Sequence, residues 1–190
     1  MVDRHGQYLK IKNEIDSAIH GVIDGADFLM GSEVSLFQKE LEEYLNINHV
    51  IACGNGTDAL QLALMALNLE PGDEVITTPF TFIATVEVIR LLGLKPVFVD
   101  VIPETFNIDP EKLEQAFTNQ TRAIVPVHLY GQCADMEAIM DFGRINDLYV
   151  IEDNAQALGS NYQYSNGTKQ KAGTIGHFGT TSFFPSKNLG

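Results

Sequence analysis

Basic side chains are scarce in this sequence. The 190 residues contain 12 Lys and Arg against 25 Asp and Glu, which gives a formal net charge of −13. A mean field of this sign repels the phosphates of nucleic acids and the anionic surfaces of membranes. The charge balance therefore argues against nucleic acid and membranes as partners.

Cysteine and long apolar runs are scarce as well. Cys53 and Cys133 show no CxxC spacing and no companion histidine pattern, so neither a disulfide framework nor a metal site is predicted. No run approaches the roughly 18 apolar residues of a membrane span, and no apolar signal segment follows the first residues. Repeats and low-complexity tracts are also missing. We therefore expect a cytoplasmic globular protein.

The hydrophobic pattern changes its period along the chain. Two amphipathic helices come first, over residues 7–22 and from Ser32, which can cap the second helix. Short apolar runs then alternate with helical stretches. The predicted strands are 49–53, 74–78, 95–99, 123–127 and 149–153, and the predicted helices are 59–67, 81–92, 110–117 and 136–144. This alternation predicts an α/β fold with a mostly parallel sheet. A loop over 160–174 and a last strand near 180–183 complete the prediction.

A glycine-containing turn follows the first predicted strand. Residues 54–59 read GNGTDA and lead directly into a helix. Gly54 and Gly56 let the backbone approach an anion, and the free amides at a helix start favour a phosphate. The same letters fit the dinucleotide fingerprint, and Asp73 lies about where a ribose-binding acid belongs. However, Asp73 precedes its strand instead of ending it, so phosphate binding is preferred over NAD, with simple turn residues as the plainer alternative.

Further candidates stand where strands end. Asp153 closes a predicted strand, where a carboxylate can pair with a pyridinium nitrogen, although a helix cap is the simpler role. Glu152 would point to the opposite face of that strand. Gln156 can donate a hydrogen bond to a ring oxygen. One of Phe80 and Phe82 can stack on a flat ring, although most phenylalanines pack in the core.

Lys187 lies in the final stretch, TSFFPSKNLG over residues 181–190. Two aromatic rings and a proline just upstream would desolvate its amine, which disfavours the charged form and makes the amine a better nucleophile. We interpret Lys187 as the residue that carries pyridoxal phosphate (PLP) as a Schiff base. A solvated surface lysine is the alternative.

Taken together, these stretches resemble the DegT/DnrJ/EryC1/StrS family of nucleotide-sugar aminotransferases. The resemblance is carried by residues 55–60 (NGTDAL), 71–76 (PGDEVI), 79–85 (PFTFIAT), 126–132 (PVHLYGQ), 151–156 (IEDNAQ) and 182–190 (SFFPSKNLG). It implies a three-layer α/β/α large domain of the aspartate-aminotransferase (type I) fold, with PLP as the cofactor. A homodimer is also implied.

The resemblance also assigns roles. Gly56, Thr57 and Ser182 would hold the cofactor phosphate. Phe82 would stack on the ring, Asp153 would pair with its nitrogen and Gln156 would bond its hydroxyl. Lys187 would be both the covalent anchor and the general acid and base.

Family members extend well beyond this lysine, so the resemblance implies a truncated chain. Residues 1–30 would be an N-terminal helical segment, and residues 31–190 the N-terminal part of the PLP-binding large domain. One departure from the family is Asn154, where alanine is more frequent.

The implied reaction moves an amino group from an amino acid, by family habit glutamate, which becomes 2-oxoglutarate, to a nucleotide-linked keto sugar. Residues 130–135 (YGQCAD) and 181–187 (TSFFPSK) are similar to the branch that acts on UDP-2-acetamido-3-keto-glucuronic acid in surface polysaccharide biosynthesis. A PLP-dependent deoxysugar dehydratase and a non-catalytic PLP-binding relative are the alternatives. The dehydratases carry a histidine in place of the lysine.

Overall fold

Two helices make up most of the first fifty residues. The structure, a computed structural model, describes residues 3–189, so Met1, Val2 and Gly190 of the predicted segments lie outside the described residues. The described chain divides into two compact units between Ala52 and Cys53. The first unit holds α1 (Arg4–Gly25) and α2 (Ser32–Leu45). Both helices were predicted, and α1 is longer than expected at each end.

Side chains from neighbouring turns start these helices. The Asp3 carboxylate accepts a hydrogen bond from the Gly6 backbone N–H at 2.9 Å and begins α1. The predicted capping role of Ser32 is wrong, because Ser32 is already the first residue of α2. Its N–H and hydroxyl both donate to the Asp27 carboxylate, at 2.8 and 3.1 Å. Asp27 therefore accepts the hydrogen bonds of the first residue of α2.

The predicted strand over 49–53 is not formed. The backbone N–H of Val50 donates to Glu42 Oε1 at 2.9 Å, and that of Ala52 donates to Gln38 Oε1 at 3.0 Å. Side chains of α2 thus take the hydrogen bonds that a neighbouring strand would otherwise receive. The segment keeps an apolar sequence without joining a sheet.

A five-stranded parallel sheet organises the second unit. Its strands are β1 (Glu74–Thr77), β2 (Lys95–Phe98), β3 (Thr121–Ile124), β4 (Tyr149–Asp153) and β7 (Phe178–Thr180). Their order is β2-β1-β3-β4-β7, and every pairing is parallel. A separate antiparallel hairpin is formed by β5 (Asn161–Gln163) and β6 (Lys169–Lys171). The helices are α3 (Gly56–Ala66), α4 (Ala84–Leu91), α5 (Leu113–Ala116) and α6 (Met136–Ile145), with 3-10 turns at Pro110–Lys112 and Leu129–Gly131.

The side chains of the strands alternate between two cores. Val75 and Ile151 pack with buried residues of α3 and α4. Their neighbours Ile76 and Val150 pack on the opposite side with buried residues of α5 and α6. Helices therefore cover both faces of the sheet, as the period-2 side-chain pattern of strands requires. The predicted three-layer α/β/α arrangement is confirmed.

The end of the chain differs from the prediction. The last strand is Phe178–Thr180, two residues before the expected position, and it pairs with Ile151–Asp153 of β4. The predicted loop over 160–174 contains the hairpin of β5 and β6. Both segments are polar or glycine-rich, so their strands lack the apolar signal on which the prediction depended.

The order of the strands locates the expected site. From β1 the chain passes to β2 on one side and then to β3 on the other, so the direction of winding reverses between β1 and β3. Ligands of open parallel sheets bind at the carboxyl ends of strands beside such a reversal. Within residues 3–189, no helix is both long and apolar enough to cross a bilayer.

Candidate active site

The start of α3 faces the segment after β7. The Asn55 side chain accepts a hydrogen bond from the Asp58 N–H at 3.0 Å, which caps the helix. The N–H groups of Gly56 and Thr57 come before the first intrahelical bonds and stay at the open end. A Cβ placed on Gly56 would lie 2.8 Å from Ser182 Cβ, so only glycine allows this approach. The result is a cradle of amides and a hydroxyl that fits an anionic group.

Asp153 ends β4 and is only 5% exposed. Thr85 Oγ1 donates to its Oδ2 at 2.7 Å, and the Ala155 N–H donates to its Oδ1 at 3.2 Å. Burial raises the pKa of Asp153, and this effect exceeds the lowering by the two donors and by the charge of Lys187. Desolvation of the charged form is thus only partly compensated.

The carboxylate of Asp153 is suited to a cationic ligand. In the described part of the chain it forms no ion pair within 4.0 Å. A buried acid without a paired cation is costly to a fold and is common at functional sites. A protonated ring nitrogen would supply the missing charge.

Gln156 and Lys187 complete the same edge of the sheet. Gln156 Oε1 accepts a hydrogen bond from the Tyr130 N–H at 2.7 Å, so its Nε2 is left to donate elsewhere. Lys187 is half-buried, and its backbone N–H donates to the Phe184 carbonyl at 2.7 Å. Its charge is close enough to lower the pKa of Asp153, although less than burial raises it.

The structure does not connect Phe82 and Thr57 to the other candidates. Among residues 3–189, neither side chain has a hydrogen bond or ring contact with them. Phe82 is 66% exposed, so its ring faces are accessible. Phe80 instead packs on Phe106, with ring centroids 5.4 Å apart. Phe82 is therefore the freer of the two rings for stacking on a ligand.

Thr85 is a site residue that the sequence reasoning missed. It is 1% exposed and lies in the first turn of α4, directly after the loop that follows β1. Its position after a strand was the available signal, because such helix starts face the carboxyl edge. Thr81 Oγ1 lies 3.0 Å from Thr85 Oγ1, and since Thr85 donates to Asp153, Thr81 is the donor to Thr85.

An α/β protein with an anion cradle, a buried acid and a lysine at one sheet edge has the features expected of a PLP-dependent enzyme. Comparison with known proteins identifies the family. The model of the DegT/DnrJ/EryC1/StrS aminotransferase family matches residues 9–190. The chain belongs to this family.

Two curated relatives match the whole chain. A pleiotropic regulatory protein of Geobacillus stearothermophilus is 49% identical over 190 residues, which are 100% of this chain and 50% of the relative. The UDP-2-acetamido-2-deoxy-3-oxo-D-glucuronate aminotransferase of Pseudomonas aeruginosa is 44% identical over 189 residues, 100% of this chain and 51% of the relative. The chain thus spans about half the length of these relatives. Other relatives are named for GDP-perosamine and for a dTDP-linked amino sugar.

Solved structures share the fold. A DegT DnrJ EryC1 StrS aminotransferase from Brucella abortus superposes with a TM-score of 0.92 at 41% identity, covering 100% of this chain and 51% of that one. NtdA from Bacillus subtilis, solved with bound cofactor PMP, gives a TM-score of 0.88 at 38% identity, covering 95% and 40%. The predicted fold and family are confirmed.

Proposed function

We propose that this chain is the N-terminal part of a PLP-dependent aminotransferase that moves an amino group from an amino acid to a nucleotide-linked keto sugar. In this proposal residues 1–30 are a helical segment and residues 31–190 belong to the PLP-binding large domain. The observation that carries the proposal is the buried carboxylate of Asp153, which has no paired cation among residues 3–189 and whose pKa the charge of Lys187 lowers. Family membership and the PMP-bound relative support the choice of cofactor.

The described residues supply groups of the chemistry that PLP requires. The amides of Gly56 and Thr57 and the hydroxyl of Ser182 would bind the phosphate. Asp153 would pair with the ring nitrogen and Gln156 Nε2 would donate to the ring hydroxyl. Phe82 would stack on the ring, and Lys187 would bind the cofactor covalently. When bound, PLP supplies an electron sink for the negative charge left on a carbon that loses its proton.

The protein's own groups would then direct the proton. Released from the cofactor by the amino donor, Lys187 Nζ would take the proton from the donor carbon and return it to the cofactor side. Asp153 must stay ionised for this step, because its negative charge keeps the paired ring nitrogen protonated. Thr85 and the Ala155 N–H favour that ionised form.

For the substrate we favour UDP-2-acetamido-3-keto-glucuronic acid with glutamate as donor, for the biosynthesis of a surface polysaccharide. The 44% identity to the Pseudomonas aeruginosa enzyme supports this choice. Other relatives are named for GDP- and dTDP-linked sugars, so the family alone does not specify the nucleotide. The uronate needs a cation. Arg90, Arg122 and Arg144 all lie toward the amino edge of the sheet, where Arg122 faces Asp73 and Arg144 faces Asp141. The carboxylate clamp is therefore expected outside this chain's second unit.

A second candidate is a regulatory relative without catalysis. It is favoured by one observation, the name of the Geobacillus stearothermophilus relative at 49% identity. The intact set of Asp153, Gln156 and Lys187 speaks against it. A deoxysugar dehydratase is disfavoured because position 187 is lysine.

The test is a visible absorption spectrum of the protein with PLP, before and after borohydride, followed by peptide mapping. We expect a band that borohydride bleaches and an added mass on the peptide that contains Lys187. Lys187→Ala should lose both, and Lys169→Ala, which removes an exposed lysine of the hairpin, should keep both. Trapping on another lysine in the wild type would overturn the assignment of Lys187.

Turnover separates the aminotransferase from its alternatives. Glutamate and a keto sugar should give 2-oxoglutarate and an amino sugar, measured in a longer chain that contains these residues. Loss of oxygen from the sugar would indicate a dehydratase, and a bleachable band without any turnover would favour the regulatory candidate. We also expect the protein to be cytoplasmic and to form a homodimer. Light scattering can check the homodimer.

A further inference from the structure

Glu152 lies beside Asp153 and points the other way. Its carboxylate is fully buried and accepts three backbone hydrogen bonds, from the N–H groups of Gly173 (2.8 Å), Ile175 (2.6 Å) and Gly176 (2.7 Å). Three amides directed at one carboxylate fix its position through directional bonds. Glu152 therefore holds the whole turn over residues 173–176.

His128 provides a fourth donor to the same carboxylate. His128 is fully buried, and its Nε2 lies 2.8 Å from Glu152 Oε2. Its Nδ1 accepts a hydrogen bond from the Ala134 N–H at 3.1 Å, so Nδ1 carries no proton. The proton is then on Nε2, and a neutral imidazole donates to Glu152. Each ring nitrogen of His128 has a defined partner.

The turn held by Glu152 leads into β7. Gly179 of β7 packs directly on the Gly173 carbonyl and has no room for a side chain. A Cβ on Gly173 would lie 2.7 Å from Asn154 Nδ2, and that nitrogen donates to Thr181 Oγ1 at 3.4 Å. Contacts thus run without interruption from Glu152 to the residue before Ser182.

The main chain supports the same connection. The Glu152 carbonyl accepts a hydrogen bond from Thr180 Oγ1 at 3.1 Å, and the Thr180 carbonyl accepts one from the Asn154 N–H at 2.8 Å. On the other side of β4, the His128 N–H donates to the Asp153 carbonyl at 3.0 Å. Glu152 and His128 are therefore linked to both strands that flank Asp153.

An apolar pair of the same size would usually stabilise a core as well as a buried polar pair does. A pair with this many directional bonds restricts position more than it adds stability. We propose that Glu152 and His128 are positioning residues that fix the distance between Asp153 on β4 and the segment from Ser182 to Lys187 after β7. This inference rests on the proposed function, because those groups must meet one cofactor.

The test compares two buried glutamates. Glu152→Gln replaces one acceptor oxygen with an NH₂ group that faces backbone donors, so the turn over 173–176 should shift. Glu74→Gln is the matched control, since Glu74 is 3% exposed on β1 and its side chain bonds in the described chain to Lys95, Thr118 and Thr121, none of them a site residue. Thermal unfolding of both variants gives their losses of stability for comparison.

We expect Glu152→Gln to weaken PLP binding about tenfold, the size of effect for one lost hydrogen bond to a charge. At saturating PLP it should also reduce the visible circular dichroism of the bound cofactor. Glu74→Gln should change neither by more than about twofold, even if it lowers the melting temperature as much. Equal effects of the two substitutions on PLP binding would overturn the positioning role.

A second measurement does not need the cofactor. In the protein without PLP, hydrogen exchange over residues 173–182 should be about tenfold faster in Glu152→Gln and unchanged in Glu74→Gln. Unchanged exchange in both would contradict the inference. If the wild type binds no PLP, the proposed function fails, while the exchange data still decide whether Glu152 fixes this segment.

His128 variants cover the case in which Glu152→Gln does not fold. His128→Leu removes one of the four donors to Glu152. It should therefore weaken PLP binding and speed hydrogen exchange over residues 173–182, each by less than Glu152→Gln does. His128→Gln keeps a donor and should restore part of the PLP affinity. If His128→Leu binds PLP like the wild type and His128→Gln does not differ from it, the histidine has no positioning role.

Discussion

Glu74 and Asp153 are two buried carboxylates at opposite edges of one sheet, and their surroundings differ. Glu74, at the amino end of β1, bonds to Lys95 at 2.7 Å, Thr118 at 2.5 Å and Thr121 at 3.4 Å. The hydrogen bond from Lys95, followed by that from Thr118, lowers the pKa of Glu74. Within residues 3–189 Asp153 has hydrogen-bond donors but no paired cation, and burial raises its pKa.

The difference separates a structural acid from a functional one. The partners of Glu74 are all in place within this chain, so its charge favours the folded state. Asp153 has a charge that the fold alone does not neutralise, and it therefore opposes folding at neutral pH. A group that is kept at such a cost is best explained by a ligand that supplies the missing positive charge.

The largest expected effect is on catalysis. Asp153→Asn should lower transamination by about a thousandfold, because the amide cannot hold the ring nitrogen in its protonated form. Glu74→Gln should keep the wild-type rate at a temperature well below unfolding. Single-turnover kinetics on the PLP-loaded protein measures both. Nearly normal turnover of the Asp153→Asn variant would show that Asp153 has no catalytic role.

The same two substitutions should move stability in opposite directions. Glu74→Gln removes the ion pair with Lys95 and should cost about 1–2 kcal/mol, since Lys95 is exposed and water screens the pair. Asp153→Asn removes a buried charge and should stabilise the PLP-free protein by about 1 kcal/mol. Urea unfolding at pH 7 gives both values. Destabilisation by both changes would show that Asp153 is structural too.

The pH dependence of stability sharpens this contrast. The folded protein binds the Asp153 proton more tightly than the unfolded chain does, so the contribution of Asp153 to stability should fall as pH rises above the ordinary value of 3.8. The Glu74 contribution has the opposite sign, because its pKa is lowered from 4.5 and its stabilisation is lost as pH falls below that value. Neither amide titrates. The gap between wild type and Asp153→Asn should therefore grow above pH 3.8, and the gap for Glu74→Gln should shrink below pH 4.5.

Part of the fold around these two carboxylates could be predicted from the sequence. The apolar runs around Val75 and Ile151 predicted strands of the parallel sheet, and Asp153 ends β4 at the carboxyl edge that the sequence indicated. The bond from Thr85 to Asp153 joins residues 68 positions apart, and no local pattern marks such a contact. The pairing of Glu74 with Thr118 depends in the same way on the register of β1 with β3.

Local rules failed where side chains replaced backbone partners. The apolar run over 49–53 has a strand pattern, yet Glu42 and Gln38 take its hydrogen bonds. For Glu152 the local pattern gave the right direction but not the partners. Alternation along β4 predicted that it faces away from Asp153, but the four donors on its carboxylate come from residues 21 to 24 positions away.

The smallest expected effect concerns the support of Asp153 itself. Thr85→Val keeps the shape of the side chain and removes the donor to Asp153 Oδ2, so the pKa of Asp153 should rise further. Because PLP needs the ionised carboxylate, its dissociation constant at neutral pH should increase about three- to tenfold. Thr81→Val is the control, since Thr81 bonds Thr85 and not Asp153, and it should change the affinity by less than about twofold. A titration of both variants with PLP from pH 5 to pH 8 separates an electrostatic role of Thr85 from a packing role. If Thr85 acts through the charge of Asp153, its effect should diminish as pH rises, whereas a loss of affinity that is the same at every pH would mean that Thr85 only fills space.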